Sequence, residues 1–160
     1  MKRLLLSLVI VLSFAQAANA LLFVRLTGMQ DINYTGWVIG NGAITSSQDV
    51  CVYSTLALGS PYAITVTGSG GFNLVSGTNN LAYTITWDDS GPGSLGSHPI
   101  NLTSGVKVQN LQNANFNLFH DDCSVEGMNA RLTFSITQAA MMAAPAGTYT
   151  GTLTILLSQT

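Results

Sequence analysis

The chain has 160 residues, 47% of them hydrophobic and only 8% charged. That length suits one domain, or one domain behind a leader. The charge content is about a third of the usual quarter, which argues against charge-driven disorder. Five Lys and Arg in the whole chain are too few to neutralise a phosphate backbone, so nucleic-acid binding is excluded.

Residues 1–20 read as a signal peptide. Lys2 and Arg3 make a positive start, residues 4–14 form an apolar stretch too short to span a bilayer, and Ala18-Asn19-Ala20 offers a small-residue cleavage site after Ala20. The domain then occupies 21–160. Its basic residues are Arg25, Lys107 and Arg131, against seven acidic ones, for a net charge of −4. Such a surface has no electrostatic reason to bind anionic membranes. No later apolar run reaches about 18 residues, so no membrane span is expected in the mature chain.

Beyond the leader the dominant period is two, the signature of strands with one buried face. Short strand candidates come first, at 22–27, 31–34 and 50–53, with the Gly40-Asn41-Gly42 turn among them. Tyr62, Ile64 and Val66 then alternate with Ala63, Thr65 and Thr67. The loop Gly68-Ser69-Gly70-Gly71 leads to a candidate at 72–75, and Gly77-Thr78-Asn79-Asn80 signals another turn. Leu81, Tyr83, Ile85 and Trp87 alternate with Ala82, Thr84 and Thr86. A turn-rich stretch at 88–97 precedes candidates at 106–111 and 115–119. Leu132, Phe134 and Ile136 alternate with Thr133, Ser135 and Thr137. Residues 138–144 are the one helical candidate, and the Ala144-Pro145-Ala146-Gly147 turn follows. Tyr149, Gly151, Leu153, Ile155 and Leu157 close the pattern. Many short strands at this spacing predict an all-β sandwich or barrel. Leu81, Tyr83, Ile85, Leu132, Phe134, Ile136, Leu153 and Ile155 should share one core, with Trp87 extending it.

Export fixes the reading of the cysteines. Cys51 and Cys123 are the two in the chain, and in an oxidising compartment a disulfide between them is the default. A metal site would want more Cys or His at ligand spacing. Other chemistry is poorly supported. Gly91-Pro92-Gly93-Ser94-Leu95-Gly96 matches G-x-G-x-x-G by letters, but it lacks the preceding buried strand and following helix that a pyrophosphate needs. His120-Asp121-Asp122 beside Cys123 reads as a polar loop, and His98 as an exposed loop residue. There is no Gly-x-Ser-x-Gly elbow and no His-Glu-x-x-His helix. No enzyme activity and no cofactor are expected. Asn33-Tyr34-Thr35 and Asn101-Leu102-Thr103 match the glycosylation sequon, which has no bearing behind a leader of bacterial type.

With these residues in place, the chain resembles a spore coat protein U domain, the pilin domain of archaic chaperone–usher pili. Asp31-Ile32-Asn33-Tyr34-Thr35-Gly36-Trp37 resembles the family's early hydrophobic-x-Phe/Tyr-Gly motif, with an extra Thr before the glycine. Val50-Cys51-Val52-Tyr53 resembles its cysteine-bearing strand. The run from Tyr62 to Gly70, then Phe72-Asn73-Leu74, resembles its next hairpin, and Leu81-Ala82-Tyr83 its leucine-x-tyrosine strand. Ala146-Gly147-Thr148-Tyr149-Thr150-Gly151-Thr152-Leu153-Thr154-Ile155 resembles its closing strand, the most specific piece.

The resemblance implies an incomplete immunoglobulin-like sandwich, completed by a donor strand from a partner. The partners it implies are a periplasmic pilus chaperone, an outer-membrane usher and neighbouring pilin subunits. The protein would pass through the periplasm to a cell-surface fimbrium and support adhesion and biofilm formation. The last strong strand runs to Leu157 with three residues after it, so the missing strand is expected from outside. Leu153, Ile155 and Leu157 should line the donor-strand groove. Residues 21–30 serve either as a short donor or as the domain's own first strand; in the second case the subunit accepts a strand without donating one and sits at a fibre end. The alternative function is a self-contained secreted β-sandwich binding module.

Overall fold

A computed structural model describes residues 23–55, 61–91, 97–116, 123–124 and 126–160. The expected signal peptide, Leu22, residues 92–96 and the His120-Asp121-Asp122 cluster lie outside the described residues. The fold is all-β apart from one short helix. Its elements in chain order are β1 (Val24–Thr27), β2 (Ile44–Ser54), β3 (Tyr62–Gly68), β4 (Asn73–Ser76), β5 (Asn79–Ala82) and β6 (Thr84–Asp88). They continue with β7 (Ile100–Asn101), β8 (Lys107–Leu111), β9 (Ala130–Ile136), α1 (Gln138–Ala143) and β10 (Leu153–Gln159).

These strands make two facing sheets and a hairpin. One sheet has the order β1-β2-β9-β6-β7, the other β10-β3-β8, and β4 pairs with β5. Every strand pairing is antiparallel. The core lies between the sheets. Val50, Val52, Ile85, Trp87, Leu132, Phe134 and Ile136 come from the larger sheet, and Tyr62, Ile64, Val66 and Leu111 from the smaller. The expected alternation holds in β9, where Ala130, Leu132, Phe134 and Ile136 are buried and the residues between them half-buried. Burying each large apolar side chain contributes roughly 1.5–3 kcal/mol. The Phe134 ring packs on Tyr83, with centroids 4.7 Å apart. At one end of the core the Trp87 indole N–H donates to the Tyr62 hydroxyl at 3.2 Å, which keeps both polar tips satisfied while the rings are buried.

The outward face of the larger sheet carries hydroxyls. Thr45, Ser135 and Thr84 stand in one cross-strand row, and Ser47, Thr133 and Thr86 in the next. Within these rows the Ser47 and Thr133 hydroxyls are 2.9 Å apart and those of Thr45 and Ser135 3.3 Å.

Four expectations change. The closing strand begins at Leu153 and not at Tyr149, because Thr150 instead bridges to Val75 of the hairpin. The run from Leu81 to Trp87 is not one strand. Leu81 and Ala82 end β5 in the hairpin, Thr84 opens β6 in the large sheet, and Tyr83 is the joint, its N–H donating to the Phe72 carbonyl. Strand β2 begins at Ile44, well before residue 50, because β9 supplies a partner all along Thr45 to Asp49. Residues 31–34 form no strand, although Ile32 still packs against the core. The helix appears where expected, with the Thr137 side chain capping it by accepting from the Ala140 N–H. Gly68 is required by a close approach, since a Cβ there would run into the Gly71 carbonyl.

Candidate functional site

Strand β10, whose inward residues are expected at a donor-strand groove, lies at the edge of the smaller sheet. Strand β10 pairs along one side with β3, from Leu153 opposite Gly68 to Gln159 opposite Tyr62. Among the described residues no strand pairs with its other side. Strand β1 is the outer strand of the facing sheet and pairs on one side with β2. Strands β1 and β10 approach each other. Among the described residues, β10 has a sheet edge that no strand pairs, a template for one more strand.

The side chains follow the same logic. Leu153, Ile155 and Leu157 point inward and pack on the core, yet all three are only half-buried. Thr154 between them is exposed, and Leu156 is 63% exposed. By contrast Ile64 and Val66, on the doubly paired neighbour β3, are 0% and 1% exposed. Partial burial on the correct phase means the core is uncovered along this flank. Val24 and Leu26 of β1 are partly buried against the same core and form the opposite lip. Leu153, Ile155 and Leu157 thus share the inward face of β10.

One residue of the groove escapes sequence reasoning. Gln159 continues the inward phase after Leu157 and is half-buried. Its side-chain Nε2 is buried and, among the described residues, has no hydrogen-bond partner. A polar residue two places from a chain end carries no periodic signal, so nothing in the sequence separates it from a solvated tail.

The disulfide Cys51–Cys123 is formed, with Cα atoms 5.7 Å apart and 72 positions between the residues in sequence. It clusters with Tyr53 on the outer face of β2, apart from the main core. Beside it the Asn129 side chain acts as a substitute strand, accepting from the Val52 N–H at 2.7 Å and donating to the Val52 carbonyl at 2.8 Å.

The remaining polar chemistry is self-satisfied. A cavity of about 450 Å³ on the outer face of the larger sheet is lined by Asp88, Ser97, Arg131 and neighbouring hydroxyls. Arg131 is held bidentately by Asp49, at 2.6 and 3.2 Å. Asp88 accepts from the Ser97 hydroxyl and the Ser90 N–H. Burial alone would raise its pKa, but these hydrogen bonds together hold it below the usual carboxylate range. His98 is exposed. Among the described residues no three His, Cys, Asp or Glu side chains come together as metal ligands would.

No protein-family model matches the chain, and no curated protein matches it. Among solved structures, the chain is similar to one chain of a structure described as a chaperone–tip adhesin complex vital for synergistic activation of CFA/I fimbriae biogenesis. The TM-score is 0.59 at 17% sequence identity, over 86% of this chain and 41% of that one. The likeness is one of fold: this chain has the architecture of part of that longer chain.

Proposed function

We propose that the protein is a structural subunit of a chaperone–usher surface pilus of the spore coat protein U type, completed by donor-strand complementation and serving adhesion and biofilm formation. The observation that carries this reading is the edge of β10 left unpaired among the described residues, with half-buried Leu153, Ile155 and Leu157 along that strand. An extended segment added to β10 would bond to its free edge and cover the exposed flank of the core, which is strand addition in its usual sense. The fold likeness to part of a fimbrial complex chain lends support. A periplasmic chaperone fills the groove first, the usher positions the subunit, and a neighbouring pilin then replaces the chaperone strand. The pairing of β1 with β2 supports reading it as the domain's own first strand. The reading contains no catalytic step.

The test is thermal melting of the purified mature protein with and without an alternating apolar peptide, alongside co-purification with a co-expressed periplasmic pilus chaperone. A chain that gains many degrees from peptide and is recovered with chaperone supports the reading. A monomer that melts cooperatively alone, gains nothing from peptide and ignores the chaperone identifies a self-contained binding module instead.

A further inference from the structure

The polar cavity on the outer face of the larger sheet is lined by groups with unused hydrogen-bonding capacity. We propose that it is a binding site for a neutral polyhydroxylated ligand, the chemistry of a sugar ring. The cavity belongs to the larger sheet and β10 to the smaller, so the proposal stands apart from strand addition.

Charge is scarce in this chain, and part of it is gathered here. Beyond residue 20 there are three basic and seven acidic residues. Asp49, Arg131 and Asp88 stand in one cross-strand row over β2, β9 and β6. The next row, Ser47, Thr133 and Thr86, carries only hydroxyls. All of these except Asp49 line the cavity, whose volume is about 450 Å³. Small-molecule sites occupy roughly 300–1,000 Å³. Ser97 and Pro99 belong to the lining as well. Asp88 fixes this rim: it is 8% exposed and accepts from the Ser90 N–H at 2.9 Å and from the Ser97 hydroxyl. A rim already tied down loses little freedom when a ligand arrives.

The charges are matched, but the hydrogen-bonding capacity is not used up. Arg131 donates to Asp49 through Nε and Nη2, and its Nη1 amino group has no partner among the described residues. The half-buried Thr86 hydroxyl has none either. The Ser47 and Thr133 hydroxyls share one hydrogen bond, which leaves a donor and several lone pairs between them. Fixed guanidinium donors beside hydroxyls that both give and accept complement a ring of adjacent hydroxyls, which does the same. An apolar ligand would strand these groups away from water. An anion gains little, because Asp49 already neutralises Arg131 and Asp88 also acts on it. A cation would meet the guanidinium. A neutral polyol meets no such conflict, and Pro99 offers its C–H face an apolar contact.

The experiment is a heteronuclear NMR titration of the mature, oxidised protein, with the alternating apolar peptide present so that sugar binding and strand addition are read separately. The probes are the methyl glycosides of glucose, galactose and mannose at up to about 50 mM, well into the millimolar range of weak binding. Maltose and lactose distinguish a free sugar from the end of a glycan chain. With at least one neutral sugar, the shifts should cluster at Thr86, Arg131, Thr133 and Ser97. Glucuronate should bind about tenfold more weakly than the glucoside. Thr86→Val removes a hydroxyl that no described residue uses, so it should weaken binding about fivefold and leave the melting temperature unchanged. Shifts centred elsewhere, no shift with any sugar, glucuronate binding as tightly as the glucoside, or an affinity untouched by Thr86→Val would each overturn the proposal. The wild-type shift map and the glucuronate comparison decide the matter even if Thr86→Val does not fold.

Discussion

Aspartate at position 155 should abolish strand capture, while aspartate one residue earlier should not. Ile155 points inward and is half-buried in the free chain, whereas Thr154 is exposed. Full burial of an isoleucine side chain is worth roughly 1.5–3 kcal/mol, so the half still uncovered contributes about 1 kcal/mol when a strand docks. An Ile155→Asp variant loses that term. It must also bury a carboxylate among Leu153, Leu157 and the core, which costs several kcal/mol or forces protonation. Together these give about 4 kcal/mol, roughly a thousandfold in Kd. Thr154→Asp changes a side chain in solvent and should stay within about 0.5 kcal/mol, or roughly twofold. Donor-peptide titration measures both variants, with circular dichroism confirming that each retains its sheets. Lowering the pH toward 4 should restore part of the Ile155→Asp affinity as the new carboxylate protonates, a recovery Thr154→Asp has no reason to show. Equal losses in the two variants, or no loss in either, would mean that β10 does not present this face to a partner.

Reduction of Cys51–Cys123, which closes a loop of 72 positions, should cost about 4 kcal/mol on a chain-entropy basis; urea unfolding with and without reductant reads it. Phe134→Ala should cost roughly 3–5 kcal/mol, because Phe134 is 8% exposed and packs on Tyr83; a loss under about 1 kcal/mol in the peptide-completed protein would contradict that packing. The hydrogen-bonded Asp88 carboxylate has a lowered pKa in the folded chain. Its contribution is therefore present above the unfolded value of about 4 and is lost as pH falls through the lower folded value. The melting temperature should drop below about pH 4, and Asp88→Asn should flatten that drop.

The sandwich was legible because its strands obey period two with one buried face. Leu132, Phe134 and Ile136 keep that phase along β9, and the single pairing open to two cysteines is the disulfide that forms. What was hidden depends on neighbours. Thr45, Ser46, Ser47 and Gln48 look like a loop, yet β9 recruits them into β2 through backbone bonds that carry no side-chain signature. The division at Tyr83 arises because β5 belongs to the hairpin and β6 to the large sheet, and one unbroken alternation encodes both. On β10, the inward phase of Leu153, Ile155 and Leu157 could be read from their spacing. Gln159 could not, since its significance lies in burial without a partner, a property of the surroundings and not of the residue type.

The hydroxyl rows of the larger sheet bear on how the surface stays wetted. Thr45, Ser135 and Thr84, then Ser47, Thr133 and Thr86, present neutral groups where most exposed sheets carry Lys and Glu. Screening by dissolved ions acts on charges, within about 10 Å at 0.1 M salt, and barely touches hydroxyl–water bonds. Along these rows hydration should therefore be nearly indifferent to ionic strength. A domain clothed this way keeps the same outer face in fresh water, in brine and across a broad range of acidity.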